Sequence, residues 1–324
     1  MGITRIALAS TLLLAGGLLS PLAAPAQDAT PTACAEMTDA ESAALATAYM
    51  ESVNSGDFDA FATLIVPNAV YHSTVLDSAE GPEGFAGAMG ELRTAFPDML
   101  RTTDDVVSDG DLAFVRWSAT GTNDGSLNGV DATGDQRTWT GMYEFRTACG
   151  QIVEARTAVD QAALLGLPGG DVEMAQSPDG ATPAACVEMD DAAVRAAVER
   201  FWGDGWNKHD VDVYRDLVSD GVVHHWTSGE DTVGEDAGAE RLQAFFTGIP
   251  DIEISWDDIA VDGDLAAASW TLKGLNTGDL FGRPATGRAI EYDGINVFRF
   301  TCGEMTEMWS EGDITRLQSQ LSGS

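Results

Sequence analysis

Asp109-Gly110-Asp111-Leu112-Ala113-Phe114-Val115-Arg116-Trp117-Ser118-Ala119-Thr120-Gly121-Thr122-Asn123 returns, at a constant offset of 153 residues, as Asp262-Gly263-Asp264-Leu265-Ala266-Ala267-Ala268-Ser269-Trp270-Thr271-Leu272-Lys273-Gly274-Leu275-Asn276. Each stretch opens on an Asp-Gly-Asp turn signal and continues as a period-2 segment, the pattern of a hairpin entering a strand. The offset holds outward from there. His72 and His225, Cys149 and Cys302, and Asp160 and Asp313 all stand 153 apart, while Cys34 and Cys186 stand 152 apart, a one-residue slip near the front. One interval kept over a whole domain means two copies of one fold with nearly every loop length preserved.

Within each copy helices precede strands. Residues 38–52 and 190–206 carry apolar residues at helical spacing (Leu45, Tyr49, Val53; Val194, Val198, Phe201) behind Thr or Asp caps. Short second helices follow at 58–65 and 211–218, each opened by an aspartate (Asp57, Asp210), then short strands at 69–73 and 222–227 and third helices at 82–95 and 235–247. Four period-2 segments finish copy 1 (99–107, 112–122, 137–147, 151–159), with counterparts beginning at Ile252, Leu265, Ala289 and Glu304. The order predicts an α+β fold in which helices cover one face of a curved antiparallel sheet. The copies are expected at 34–167 and 186–323, joined by a turn-rich linker at 168–185.

Residues 1–26 read as a secretory signal peptide: one basic residue (Arg5), an apolar run, and a small-x-small site at Ala24-Pro25-Ala26. The chain is therefore expected to be secreted or periplasmic, with no membrane attachment after cleavage. In an exported chain four cysteines suggest disulfides, and Cys34–Cys149 with Cys186–Cys302, the one pairing that keeps each bridge within its own copy, is the expected connectivity. Free buried thiols are the alternative. The net charge of −35, with Lys208 and Lys273 the only lysines, sets nucleic acid aside as a partner.

Three further stretches carry a family resemblance. They are Phe96-Pro97-Asp98 with Ile249-Pro250-Asp251, Ala132-Thr133-Gly134 with Pro284-Ala285-Thr286-Gly287, and the ending that runs from Glu307 and Trp309 through Asp313 to Leu317, Gln320 and Leu321. Both copies resemble the SnoaL-like polyketide and ester cyclases of the nuclear-transport-factor-2-like superfamily. The resemblance implies two tandem cone-shaped half-barrels, each with one pocket for a small, mostly apolar ligand. It also implies an acid/base aspartate near the end of the last strand, a position held here by Asp313 and Asp160. Such chemistry uses no cofactor and no metal. Superfamily members commonly dimerise through their sheets. A duplicated chain is expected to make that contact internally, as a pseudo-dimer that is monomeric in solution.

Period-2 counting puts Trp117, Gly121 and Asn123 on one strand face, Trp270, Gly274 and Asn276 on the equivalent one, and Glu307, Trp309 and Asp313 on a third. If these faces point inward they converge with His72 or His225, and Trp139, Tyr292 and Asn296 join them as binding candidates. Plainer roles stay open: Asp160 and Asp313 stand where aspartate caps a helix, the histidines can be ordinary hydrogen-bonding residues, and the tryptophans can be core. His224-His225 does not form a metal pair, because adjacent strand residues face opposite ways. Both copies lack the histidine of the family's Gly-Thr-His, having Asn123 and Asn276 instead. Copy 1 also carries Arg156 where copy 2 has Trp309, which makes copy 2 the better candidate for acid/base chemistry of cyclase or isomerase type. A non-catalytic binding module, or a structural one, is the alternative.

Overall fold

Helix α1 (Asp39–Ser55) starts where Thr38 can cap it, and Thr38 and Glu41 form a reciprocal capping box. It stops at Gly56, whose left-handed φ of 72° closes the last turn. A 3₁₀ turn (Phe58–Ala60) and α2 (Phe61–Leu64) lead to β1 (Ile65–Ser73), β2 (Ala79–Glu80) and α3 (Gly81–Ala95). The strands β3 (Leu100–Asp109), β4 (Leu112–Thr122), β5 (Gln136–Ala148) and β6 (Gln151–Val159) follow, and α4 (Gln161–Leu165) ends the copy. The computed structural model describes residues 34–167, 186, 188–227 and 230–322; the expected signal peptide and linker lie outside the described residues.

Copy 2 repeats the order as α5 (Asp191–Arg200), a π-helical turn (Phe201–Trp206), α6 (Val211–Leu217), β7 (Val218–Trp226), β8 (Thr232–Val233) and α7 (Glu235–Gly248). Then come β9 (Glu253–Trp256), β10 (Ala260–Asp262), β11 (Leu265–Leu275), β12 (Ala289–Thr301), β13 (Glu304–Gly312) and α8 (Ile314–Ser322). Among the described residues no helix is long and apolar enough to cross a membrane.

The sheets are open and run β2-β1-β6-β5-β4-β3 and β10-β11-β12-β13-β7-β8, with β9 also on β11. Expected to be antiparallel throughout, each contains one parallel pair, β1 with β6 and β7 with β13. Those strands are remote in sequence and share no hairpin, so nothing forces them antiparallel. The strand expected from Ile252 is broken into β9 and β10, where copy 1 has only a register shift between Thr103 and Asp105. The Cys-Gly turns need positive φ at both central positions, and have it: 55° and 77° at Cys149 and Gly150, 59° and 89° at Cys302 and Gly303.

The one-residue slip of the repeat has a location. The stretch from Asp190 to Asp210 is one residue longer than that from Thr38 to Asp57. An extra residue in an α-helix turns everything after it by about 100°. Copy 2 absorbs it in the π turn, whose wider ladder includes Asn207 N–H donating to the Trp202 carbonyl at 2.9 Å. Downstream elements therefore keep the register of copy 1.

Cys186 bonds Cys302, tying the front of copy 2 to the β12–β13 turn. Cys34 and Cys149 are disulfide-bonded as well, and no described cysteine is free.

The two sheets pack through the faces turned away from their own helices. Val107, Leu112, Phe114, Met142 and Ala158 of copy 1 form one cluster with Ala260, Ala267, Ile295, Val297 and Trp309 of copy 2. Arg146 pairs with Asp258 at 3.4 Å and Arg299 with Asp105 at 3.0 Å. These are repeat-equivalent residues with their roles exchanged, the mark of an isologous contact. Trp309 is covered there by the Arg116 and Arg299 guanidinium groups, 4.3 and 4.9 Å from its ring centroid, and by the stacked His225 ring at 5.4 Å.

Two predictions follow from this packing. Trp309→Ala is expected to destabilise the protein by roughly 3 kcal/mol through the cavity it leaves, read as a lower denaturant midpoint. A pocket residue open to solvent would shift that midpoint far less. Burial, with Asp160 nearby, pushes the Glu311 carboxyl up from 4.5 to about 8. A raised carboxyl favours the protonated folded form, so its contribution is complete below pH 4.5 and is lost as pH rises towards about 8. Glu311→Gln, which keeps an uncharged group in place, is therefore expected to flatten the fall in melting temperature between pH 5 and pH 8. An unchanged slope in the variant would dismiss the assignment.

Candidate functional site

Copy 2 encloses a cavity of about 290 Å³ between its sheet and its helices. Three strands supply its floor by strict alternation: Trp270 and Leu272 from β11, Tyr292 and Asn296 from β12, Met308, Ser310 and Gly312 from β13. The π turn adds Trp202 and Trp206, α7 adds Arg241 and Phe245, and Ile314, Leu317 and Leu321 close it from α8. Trp226 and Phe281 complete an aromatic wall.

Trp270 lies across Gly294, its direct partner on β12, where a Cβ would come within 2.3 Å of the ring. Only glycine leaves room for the indole to lie flat over the sheet. The Trp270 indole N–H donates to Asn296 Oδ1 at 2.7 Å, and its ring meets Tyr292 edge-on at 5.3 Å. Burial raises the Tyr292 phenol above its ordinary value, so it stays a neutral hydroxyl.

Two cations line the cavity, Arg241 in the wall and the exposed Arg283 at the rim. The Arg241 guanidinium carbon stands 4.3 Å from the Trp226 ring centroid and 5.2 Å from that of Phe281, and burial lowers its pKa. Among the described residues no carboxylate lies within ion-pair distance of it, and its Nε has no hydrogen-bond partner.

The equivalent space in copy 1 is about 10 Å³. Arg101, at the position of Ile254, reaches into it, donates to the Tyr143 hydroxyl at 2.7 Å and lies 4.3 Å from the Trp117 ring. Tyr143 replaces Asn296 and Val159 replaces Gly312, so side chains fill the cone. Trp117 and Trp139 are fully buried in this packing.

Of the sequence candidates, Trp270, Tyr292 and Asn296 meet in the copy 2 cavity, and Trp309, His225, Asn276 and Asp313 do not line it. Trp309 and His225 face the other sheet. Both faces of β13 are buried, one by its own cone and one by copy 1, so apolar alternation gave no clue to which face points inward. His225 bridges Asp231 and Glu307 at 2.9 and 3.0 Å, and His72 approaches Glu154 at 3.5 Å in the matching place. His224 points the opposite way, into the core, and burial drives its pKa down to about 3, leaving a neutral imidazole.

Asn123 and Asn276 are loop clamps. Asn276 donates to the Gly248 and Gly278 carbonyls and accepts from the Thr286 N–H and hydroxyl, all within 2.8 to 3.0 Å. Asn123 does the same with Gly125 and Thr133. The Asn276 amide spends its full capacity on the chain itself, and the repeated Ala-Thr-Gly stretches are the other half of each clamp.

Asp313 accepts from the Arg316 N–H at 3.0 Å and the Gln161 amide at 3.2 Å, an N-cap for α8, while Asp160 caps α4 through the Ala163 N–H at 3.0 Å. Asp313 borders a separate polar cleft of about 480 Å³ between the copies. The charges there are mostly paired, Arg156 with Asp257 at 2.7 Å and Arg316 with Asp293 at 3.1 Å. Among the described residues the one cluster with metal-ligand spacing is Cys186, Glu188 and Cys302, and both of its sulfurs belong to a disulfide.

Sequence reasoning missed Arg241, Trp202, Trp206, Trp226, Phe245 and Phe281. The signal was present in the tryptophans: six of eight lie in copy 2, against two in copy 1. An excess of tryptophan in one of two copies of nearly equal length marks the one whose interior differs.

Comparison with known proteins agrees on the fold. The profile of the SnoaL-like polyketide cyclase family matches residues 43–166 and again residues 196–321. No curated protein matches the chain significantly. Among solved structures, one from Jannaschia sp. CCS1 described as a SnoaL-like polyketide cyclase is 21% identical over 44% of this chain and 99% of its own, with a TM-score of 0.40. TsrD from Streptomyces laurentii is 26% identical over 42% of this chain and 100% of its own, with a TM-score of 0.39. IdmH from Streptomyces antibioticus, described as a polyketide cyclase, is 23% identical over 39% of this chain and 96% of its own, with a TM-score of 0.35. With both copies matched and well over half of its residues covered, the chain belongs to the SnoaL-like polyketide cyclase family.

Proposed function

We propose that this is an exported ligand-binding protein in which copy 2 holds one small aromatic ligand in its cone and copy 1 is a filled, structural partner. The observation that carries the reading is the contrast between cavities of about 290 and about 10 Å³ on two copies of one fold. The larger is close to the lower end of the roughly 300–1,000 Å³ common for ligand sites, and its wall of indoles and phenyl rings suits a flat apolar body. Export is supported by the signal-like residues 1–26 and by the disulfides.

Binding is favoured over cyclase-type chemistry by the lining itself. Among the described residues no Asp, Glu or His borders the copy 2 cavity, so proton abstraction beside a carbonyl lacks a base there. The role we assign to Asp313 is the cap of α8.

Titration calorimetry with 2-naphthol, a neutral flat probe, tests this. One saturable site per chain is expected. Asp313→Asn is expected to leave affinity within about twofold and the melting temperature nearly unchanged, because asparagine caps about as well. Two sites per chain, or none, would refute the assignment of a single receptive copy.

A further inference from the structure

Arg241, Trp226 and Phe281 form a unit that copy 1 lacks. Their repeat equivalents, 153 residues earlier, are Ala88, Ser73 and Asn128. A cation and the two rings that hold it therefore differ together between copies, at three positions far apart in sequence and adjacent in space.

Eight of the fourteen described arginines pair with a carboxylate, and Arg241 is not among them. With 52 acidic residues against 17 basic ones, an arginine finds a carboxylate easily. Arg116, Arg146, Arg156, Arg195, Arg215 and Arg299 all do. Arg241 is instead held against aromatic faces in the wall of an apolar cavity, with no carboxylate near it among the described residues. Withdrawing a guanidinium from water without an anion is costly, and ring faces offset only part of that cost. The buried arginine of copy 1 makes the contrast: Arg101 spends its guanidinium on Tyr143 and leaves no space beside it.

Building on the binding reading above, we propose that the copy 2 cavity selects anionic aromatic ligands. Arg241 receives a carboxylate, or an equivalent planar oxyanion, while the indoles enclose the ring system. The guanidinium fork matches a carboxylate with two parallel N–H donors. The neutral hydrogen-bonding groups of the wall, Tyr292 and Ser310, add no competing negative charge.

Paired titrations of 2-naphthoate and 2-naphthamide, equal in shape and different in charge, test the proposal. The intact protein is expected to bind the acid at least about tenfold more tightly at neutral pH, the scale of one charged hydrogen-bonded contact in a dry site. Arg241→Gln is expected to abolish that preference while the amide still binds. Arg241→Lys, a backup should the glutamine variant fold poorly, is expected to keep a reduced preference, since charge remains and the fork is lost. Arg283→Gln, at an exposed arginine on the rim, is expected to leave the preference intact. Equal binding of acid and amide by the intact protein overturns the anion proposal and leaves the cavity reading standing, as does a preference that survives Arg241→Gln or disappears with Arg283→Gln. Binding of neither compound overturns both.

Discussion

The central strands of each sheet are buried on both sides. One face packs on its own helices and the other on the sheet of the second copy, through Phe114, Met142, Ile295 and Trp309. Because alternate residues on a strand serve opposite faces, this double burial divides β13 in two: Trp309 and Glu311 meet copy 1 and Glu307 holds His225 and Arg299 beside them, while Met308, Ser310 and Gly312 are left for the cone. The cone of copy 2 is built from what the contact between copies does not consume.

The cones themselves are decided by a few substitutions on a shared scaffold. Ile254, Asn296 and Gly312 leave room where Arg101, Tyr143 and Val159 take it. The π turn adds a second difference, since it sets Trp202 and Trp206 in the cavity wall without disturbing the strands downstream. The Trp-over-Gly device is common to both copies, with Gly141 under Trp117 and Gly294 under Trp270. It belongs to the sheet and not to the ligand.

The repeat, the helix caps at Thr38 and Asp190, the hairpin turns and the order of elements were legible in the sequence, because each depends on local chemistry or on a fixed interval. The inward face of β13 was not. Trp309 looked like a pocket wall since a buried apolar residue reads the same on either dry face. Asp313 looked like either an acid or a cap, and residues distant in sequence, Gln161 above all, decide its surroundings. Asn276 read as a ligand contact because its partners, Gly248 at the end of α7 and Thr286 in the loop before β12, come from separate parts of the chain. Whether a cone is open or filled depends on summed volumes and rotamers, which no pattern of alternation records.

A symmetric homodimer writes every mutation twice. A substitution that improves its core also closes its pocket, and one that opens a pocket also weakens its partner. Joining two copies in one chain removes that constraint while keeping an isologous contact such as Arg146–Asp258 with Arg299–Asp105. One half can then be filled, as copy 1 is by Arg101, Tyr143 and Val159. The other keeps its cavity, with Arg241 in the wall against two aromatic rings.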